Sequence, residues 1–161
     1  MKKDRFILKA GFKSAVIWGL LILLIFVVLN PITRFQDSRD STRWSEISNI
    51  LIAIKIDQID NGGSYLPAIR EIDDDSIYMI GTDTNSCNIY TCDTTVTSSA
   101  SCVDISSLTI EGYLGSIPVS PNGVGLWTTG HTGYTLEKDS SGILTVRSCE
   151  SENTTEIFIS E

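Results

Sequence analysis

The stretch KAGFKSAVIWGLLILLIFVVLNP, Lys9 to Pro31, decides how the rest of the chain is read. Three readings fit such a run: a removable export signal, a permanent membrane anchor, or the assembly helix of a polymer subunit. Its core, Ala15 to Leu29, has 15 residues, about 22 Å of α-helix against a bilayer core of about 30 Å. Counted from Phe12 to Ile32 the run has 21 positions, enough to span once Lys13 snorkels to the headgroups. A secretory signal shares the basic tip and the apolar length, but it ends in a small-x-small cleavage site. The exit Leu29-Asn30-Pro31-Ile32-Thr33 offers none, so retention of the helix is the expectation.

Charge orients it. The first fourteen residues carry Lys2, Lys3, Arg5, Lys9 and Lys13 against Asp4, and the remainder is acidic enough to bring the 161-residue chain to −8. A basic tip before an apolar run predicts a single-pass protein of the cytoplasmic membrane, with the N-terminus in the cytoplasm and the body outside. The acidic body has no basic stripe to neutralise phosphates, so nucleic acid is not an indicated partner. Part of the 42% hydrophobic content lies in the N-terminal run and cannot also build a globular core. The foldable remainder is small and would gain from covalent staples.

Helical character continues beyond the run. In TRFQDSRDSTRWSEISNILIAIKIDQIDNGGSYLP, residues Trp44, Ile47, Ile50, Leu51 and Ile54 recur at three and four, one apolar stripe. Arg39, Asp40, Arg43 and Glu46 are expected on the other faces. The helix should stop at Asp60-Asn61-Gly62-Gly63, where Asn and Gly supply left-handed backbone, with Pro67 following. From Phe12 to Asp60 this is about 70 Å of helix if continuous, kinked or locally melted at Pro31, whose ring and missing N–H disrupt the preceding turn. On the proline alone, the plainer reading is that Asn30-Pro31 marks the membrane exit.

The remainder reads as strand and loop. Ser76–Thr82, Gly133–Asp139, Gly142–Cys149 and Thr155–Glu161 show short β-branched or aromatic alternation bounded by turn residues. Asp139 to Gly142 is a hairpin turn, and the last three strands suggest an antiparallel meander. Such a sheet buries its apolar face under the helix stripe. The predicted class is α+β, a long N-terminal helix packed on a small antiparallel sheet. The divisions are a basic leader over 1–11, a membrane or assembly helix over 12–32, an amphipathic helix over 33–60, and a disulfide-stapled sheet with loops over 61–161.

These residues together resemble the type IV pilins and the pseudopilins of type II secretion systems. The likeness rests on a short basic leader ending in KAGF, a greasy helix with a proline partway along, the helix exit Asn61-Gly62 followed by SYLP, the loop YLGSIPVSPNG, and the terminal strands GYTLEKDSSGILTV. It covers nearly the whole chain through individually loose motifs. The resemblance implies a pilin-like fold, cleavage by a prepilin peptidase after Gly11 with Phe12 as the new N-terminus, and assembly with other subunits through the N-terminal helix, ending in a cell-surface pilus or a secretion pseudopilus. Two positions depart from the family: Val16 stands where a glutamate is usual, and Lys13 where a small residue or threonine is common. A minor, tip-type or unprocessed relative tolerates both better than a major subunit does.

Four cysteines, Cys87, Cys92, Cys102 and Cys149, on the outer side of a membrane favour two disulfides, and three pairings are possible. The expected set is Cys87 with Cys92, closing CNIYTC, and Cys102 with Cys149, tying the long loop to a terminal strand. A zinc site is the rival, but its paired short knuckles are missing. The segment Thr82–Ser107 holds 12 Ser or Thr in 26 residues, a composition for a solvated loop and, less readily, a glycosylated or adhesive one.

Chemistry is faintly signalled. His131 is the only histidine, so any nucleophile-His arrangement would be built around it; a plain loop is the simpler reading, and neither a catalytic residue, a metal ligand nor a cofactor is predicted. Asp73 to Ser76 with Asp139 could offer hard oxygens to calcium, but their spacing fits no defined loop and a solvated acidic turn is favoured. Asn153 heads an N-x-T triplet that is common by chance. Trp127 and Tyr134 are expected to pack the sheet. Two functional readings stand: a structural pilin-like subunit, or a single-pass anchored binding domain that stays monomeric.

Overall fold

The structure is a computed structural model, which describes residues 17–21, 30–85, 87–90, 92, 100–123 and 125–161. Residues 17–21 are helical. Among the described residues no helix is long and apolar enough to cross a membrane; residues 12–16 and 22–29 of the apolar run, with the candidate processing pair Gly11 and Phe12, lie outside them. The chain forms two compact units, Met1–Gln36 and Asp37–Glu161.

Helix α1 spans Pro31–Asp60. Pro31 therefore occupies the first helical position, where its absent N–H would have had no partner and its fixed φ suits the helix. Asn30 precedes it at φ 33°, a backbone conformation that asparagine tolerates better than most residues. The sequence led us to expect a kink or a local melting at Pro31; residues 22–29, which precede this helix start, lie outside the described residues. At the other end the Gly63 N–H donates to Gln58 O (2.7 Å) and the Gly62 N–H to Ile59 O (3.2 Å), with Gly62 at φ 67°. This is a Schellman cap, and it explains why Asn61-Gly62-Gly63 ends the helix.

After α1 come the short helix α2 (Pro67–Arg70), strand β1 (Ser76–Met79), a 3₁₀ turn at Cys87–Ile89, the short helix α3 (Ser107–Ile110), and strands β2 (Tyr134–Lys138), β3 (Leu144–Ser148) and β4 (Phe158–Ser160). They form a four-stranded antiparallel sheet in the order β1-β2-β3-β4. Asp139 Oδ1 accepts the N–H groups of Ser141 and Ile143 at 2.8 Å each, which folds the β2–β3 hairpin as expected from DSSG.

Side chains alternate across the sheet. Tyr134, Leu136, Leu144 and Val146 share one apolar cluster with Ile47, Ile50, Leu51 and Ile54 of α1 and with Ile69, Ile80, Ile105 and Leu108. A second, smaller cluster joins Met79, Cys87, Trp127 and Cys149, with Tyr90, Cys92, Cys102 and Val119 against it. In register Met79 faces Thr135, whereas Tyr78 faces Leu136, so β1 gives neighbouring positions to the two clusters. Both disulfides belong to the smaller cluster, the part with too little apolar surface to hold itself.

The cysteine pairing corrects the expected set: the bonds are Cys87–Cys102 and Cys92–Cys149. The reason is backbone pairing. The Cys87 N–H donates to Ala100 O (2.8 Å) and the Cys102 N–H to Asp83 O (2.9 Å), so two segments run together and bring these cysteines to a Cα separation of 5.5 Å. Gly133, at φ 77°, lies under the Trp127 indole, where a Cβ would collide with the ring.

Candidate functional site

The buried stripe of α1 is longer and more polar than the apolar pattern indicates. It begins at Asp40 and Arg43, continues through Ile47, Ile50, Leu51 and Ile54, and ends at Asp57. Asp40 and Arg43 are therefore not on the other faces, and Trp44, expected in the stripe, is 41% exposed. Arg43 is fully buried. Its Nη1 donates to Asp40 Oδ1 (2.8 Å) and Glu152 Oε1 (3.2 Å), its Nη2 to Pro121 O (3.0 Å), Glu150 Oε2 (3.1 Å) and Glu152 Oε1 (3.2 Å), and its Nε to Ser120 Oγ (3.2 Å). The planar fork of a guanidinium carries five N–H donors, against three on an ammonium, and can serve this many oxygens at once.

The neighbouring turn adds to this. Arg39 holds Glu152 through Nε (2.7 Å) and Nη2. Asp40 Oδ2 accepts the backbone N–H groups of Glu152 (3.1 Å) and Asn153 (2.9 Å), and Asn153 Nδ2 donates to Asp37 (2.7 Å). Farther along, Tyr134 on β2 donates its hydroxyl to Glu46. Residues 37–46 of the helix are thereby fastened to the segment 150–153 that follows Cys149, and every group in the cluster is committed to another. The arrangement clamps the helix to this segment.

Burial pushes the Asp40 carboxyl up, but the N–H groups of Asn153 and Glu152 and the Arg43 guanidinium outweigh it and hold it below 3.8. The hydrogen bond from Arg39, joined by Arg43, holds Glu152 below 4.5. Glu46 goes the other way, raised by burial although Tyr134 opposes. A carboxylate with a depressed native pKa stabilises the fold above its unfolded pKa and loses that contribution as pH falls through the native value; a raised one contributes below its unfolded value and loses it as pH rises. Two of the three depress. Thermal stability should therefore hold at neutral pH and fall below about pH 4, with the amides of residues 150–153 losing hydrogen-exchange protection early. Stability that rises steadily toward pH 3 would contradict this balance.

The other sequence-derived candidates are placed as follows. All four cysteines are in disulfides. The His131 ring stacks on Tyr90 at 3.9 Å, with Nδ1 2.9 Å from Asp83 and Nε2 3.2 Å from Leu126 O; both neighbours are acceptors, and the ring braces the loop. Asp73 engages Tyr78, Asp74 pairs with Lys138 (3.0 Å), and Asp139 serves its own turn. Among the described residues no group of three or more His, Cys, Asp or Glu is placed to hold a metal ion. Trp127 and Tyr134 are buried against the sheet.

The sequence reading missed a second apolar row on α1. Ile52, Ile56 and Ile59 recur at four and three, and are 51%, 43% and 74% exposed. At 100° per residue they lie about opposite Ile47, Ile50 and Ile54. Ile52 also lines a groove of about 430 Å³ with Glu46, Asn49, Tyr113 and Pro118. The same three-and-four spacing would have found the row, had the outer face been searched for its own apolar periodicity. No family model, curated protein or solved structure matches this chain.

Proposed function

We propose that the chain is a structural subunit of a pilin-like filament, a type IV pilus or a type II secretion pseudopilus, held in the bilayer by its apolar N-terminal run and assembled with other subunits through its N-terminal helix. The observation that carries this reading is the outward row Ile52-Ile56-Ile59 on a helix whose inner face is already committed to the sheet. A helix serving only to complete a domain has polar residues on its outer face; an apolar row there is a surface waiting for another helix. The apolar segment Phe12–Leu29 supplies matching chemistry, and such a run exchanges lipid contacts for helix contacts with no backbone polar group left open. On this reading a prepilin peptidase cuts after Gly11, and Val16 and Lys13 point to a minor or divergent subunit.

Ile56→Asp tests the helix surface. The side chain is 43% exposed, so the substitution should cost the folded domain on the order of 1 kcal/mol. Burying the exposed part of Ile56 between subunits contributes on the order of 1 kcal/mol in each interface, and a carboxylate placed there adds its desolvation cost, so recovery in sheared filaments should drop at least about tenfold. Filaments recovered at the wild-type yield would remove the support for this reading.

One observation favours a second reading. The two disulfides tie Cys87, Cys92 and Cys102 into the smaller cluster, the sort of rigid support that an anchored monomeric binding domain gives to a recognition loop. Retention in the membrane fraction with an intact N-terminus at Met1 would select it.

A further inference from the structure

His131 faces two acceptors at once. Its Nδ1 lies 2.9 Å from Asp83 Oδ2 and its Nε2 lies 3.2 Å from Leu126 O, and a carboxylate and a carbonyl have no proton to give. A neutral imidazole carries one N–H and serves one of them, leaving its other nitrogen to turn a lone pair on an oxygen. The imidazolium carries two N–H groups and serves both. Two contacts gain when the ring is charged: the bond to Asp83 becomes an ion pair, and the Tyr90 ring, stacked at 3.9 Å with 15° between the planes, offers its π face to a cation. On its own loop the ring meets Thr128 Oγ1, 3.4 Å from Nδ1, and the Trp127 indole edge-on, with centroids 6.5 Å apart.

The ring stands where two loops meet. The Thr82 N–H donates to Thr129 O (3.2 Å) and the Asp83 N–H to Gly130 O (3.0 Å), which sets the loop after β1, with Tyr90 and the disulfide-bonded Cys87 and Cys92, against the loop that leads into β2. Those backbone bonds hold the near end of the second loop, residues 129 and 130, whatever the charge on the ring. Its far end, where Leu126 is 80% exposed, depends on side chains: Nε2 of His131 against Leu126 O, and Asn122 Oδ1 accepting the Trp127 N–H at 3.2 Å. The Thr128 N–H donates to His131 O (3.1 Å), so a change at the ring is passed directly to residues 126–128.

We propose that His131 is a proton-operated latch: its charged form fastens Asp83 and Leu126 to one ring, and its neutral form lets the Leu126 end go. The direction follows from the count of N–H groups. The second bond is present at low pH and is lost as pH rises through the range in which histidine changes charge. The inference stands apart from filament assembly. The test compares the full chain in detergent micelles at about pH 5.5 and about pH 8, by the nitrogen shifts of the imidazole and by amide hydrogen exchange expressed as protection factors. The ring should carry both protons at the lower pH and one at the higher. The amides of Trp127, Thr128 and Gly130 should be at least about threefold better protected at the lower pH, with those of Leu144–Ser148 unchanged as the reference. His131→Gln, which has no titrating ring, should remove the difference, and Asp83→Asn, which keeps an acceptor but not the charge, should reduce it. A ring still neutral at the lower pH, equal protection at the two pH values in the wild type, or the same difference in His131→Gln would overturn the proposal. Should His131→Gln fail to fold, Asp83→Asn decides, and an undiminished difference there overturns it too.

Discussion

Replacing Arg43 by alanine is expected to destabilise the unit Asp37–Glu161 by about 3–5 kcal/mol, the range for removing one partner of a buried ion pair. The size of the effect follows from what is left behind. Asp40 and the two glutamates, Glu150 and Glu152, would face one another with Arg39 as the nearest remaining guanidinium. Carboxylates taken out of water without a cation cost far more than a lost surface contact. For a unit of this size the shift in Tm is about 10–20 °C. Arg43→Lys should recover the smaller part of the loss, because an ammonium cannot reach Ser120, Pro121 and both glutamates together. Converting the whole cluster to apolar residues of similar volume should cost less than Arg43→Ala alone. Urea unfolding checks the series, and a loss under about 1 kcal/mol for Arg43→Ala would mean that the clamp does not hold the helix.

The second large effect is expected at Cys92–Cys149, which closes a separation of 57 residues, against 15 for Cys87–Cys102. On the chain-entropy account the longer link contributes about 4 kcal/mol and the shorter about 3 kcal/mol. The paired substitution Cys92→Ser with Cys149→Ser should therefore be the more damaging. The effect should begin in the smaller cluster around Trp127, whose few apolar residues depend on the staples. Tryptophan fluorescence should report loosening of that cluster before circular dichroism reports loss of α1. Non-reducing peptide mapping should return Cys87 with Cys102 and Cys92 with Cys149. Recovery of a Cys87–Cys92 peptide, or a melting curve indifferent to reductant, would contradict the pairing and its role.

The strands were legible because their alternation and their bounding turns are local signals: residues 134–138, 144–148 and 158–160 fall inside the predicted runs. The helix stop at Asn61-Gly62-Gly63 was legible for the same reason. Arg43 was not, because its burial depends on Glu150 and Glu152, whose separations from it are 107 and 109 residues, in a segment with no periodicity of its own. A charged residue continuing the spacing of an apolar stripe is the signal that marks it, and Asp40, Arg43 and Ile47 keep that spacing. The disulfide partners depend likewise on a non-local pairing of Asp83 and Cys87 with Cys102 and Ala100, invisible to spacing rules. The outer row Ile52-Ile56-Ile59 was masked by its neighbours, since an α1 apolar on two sides loses the contrast by which an amphipathic helix is recognised.

The central claim is that the chain works as an assembled subunit. N-terminal sequencing of the protein recovered from sheared surface filaments addresses it most directly. The account predicts a filament-borne chain beginning at Phe12. A chain beginning at Met1, confined to the membrane fraction and never recovered with filaments, would contradict it.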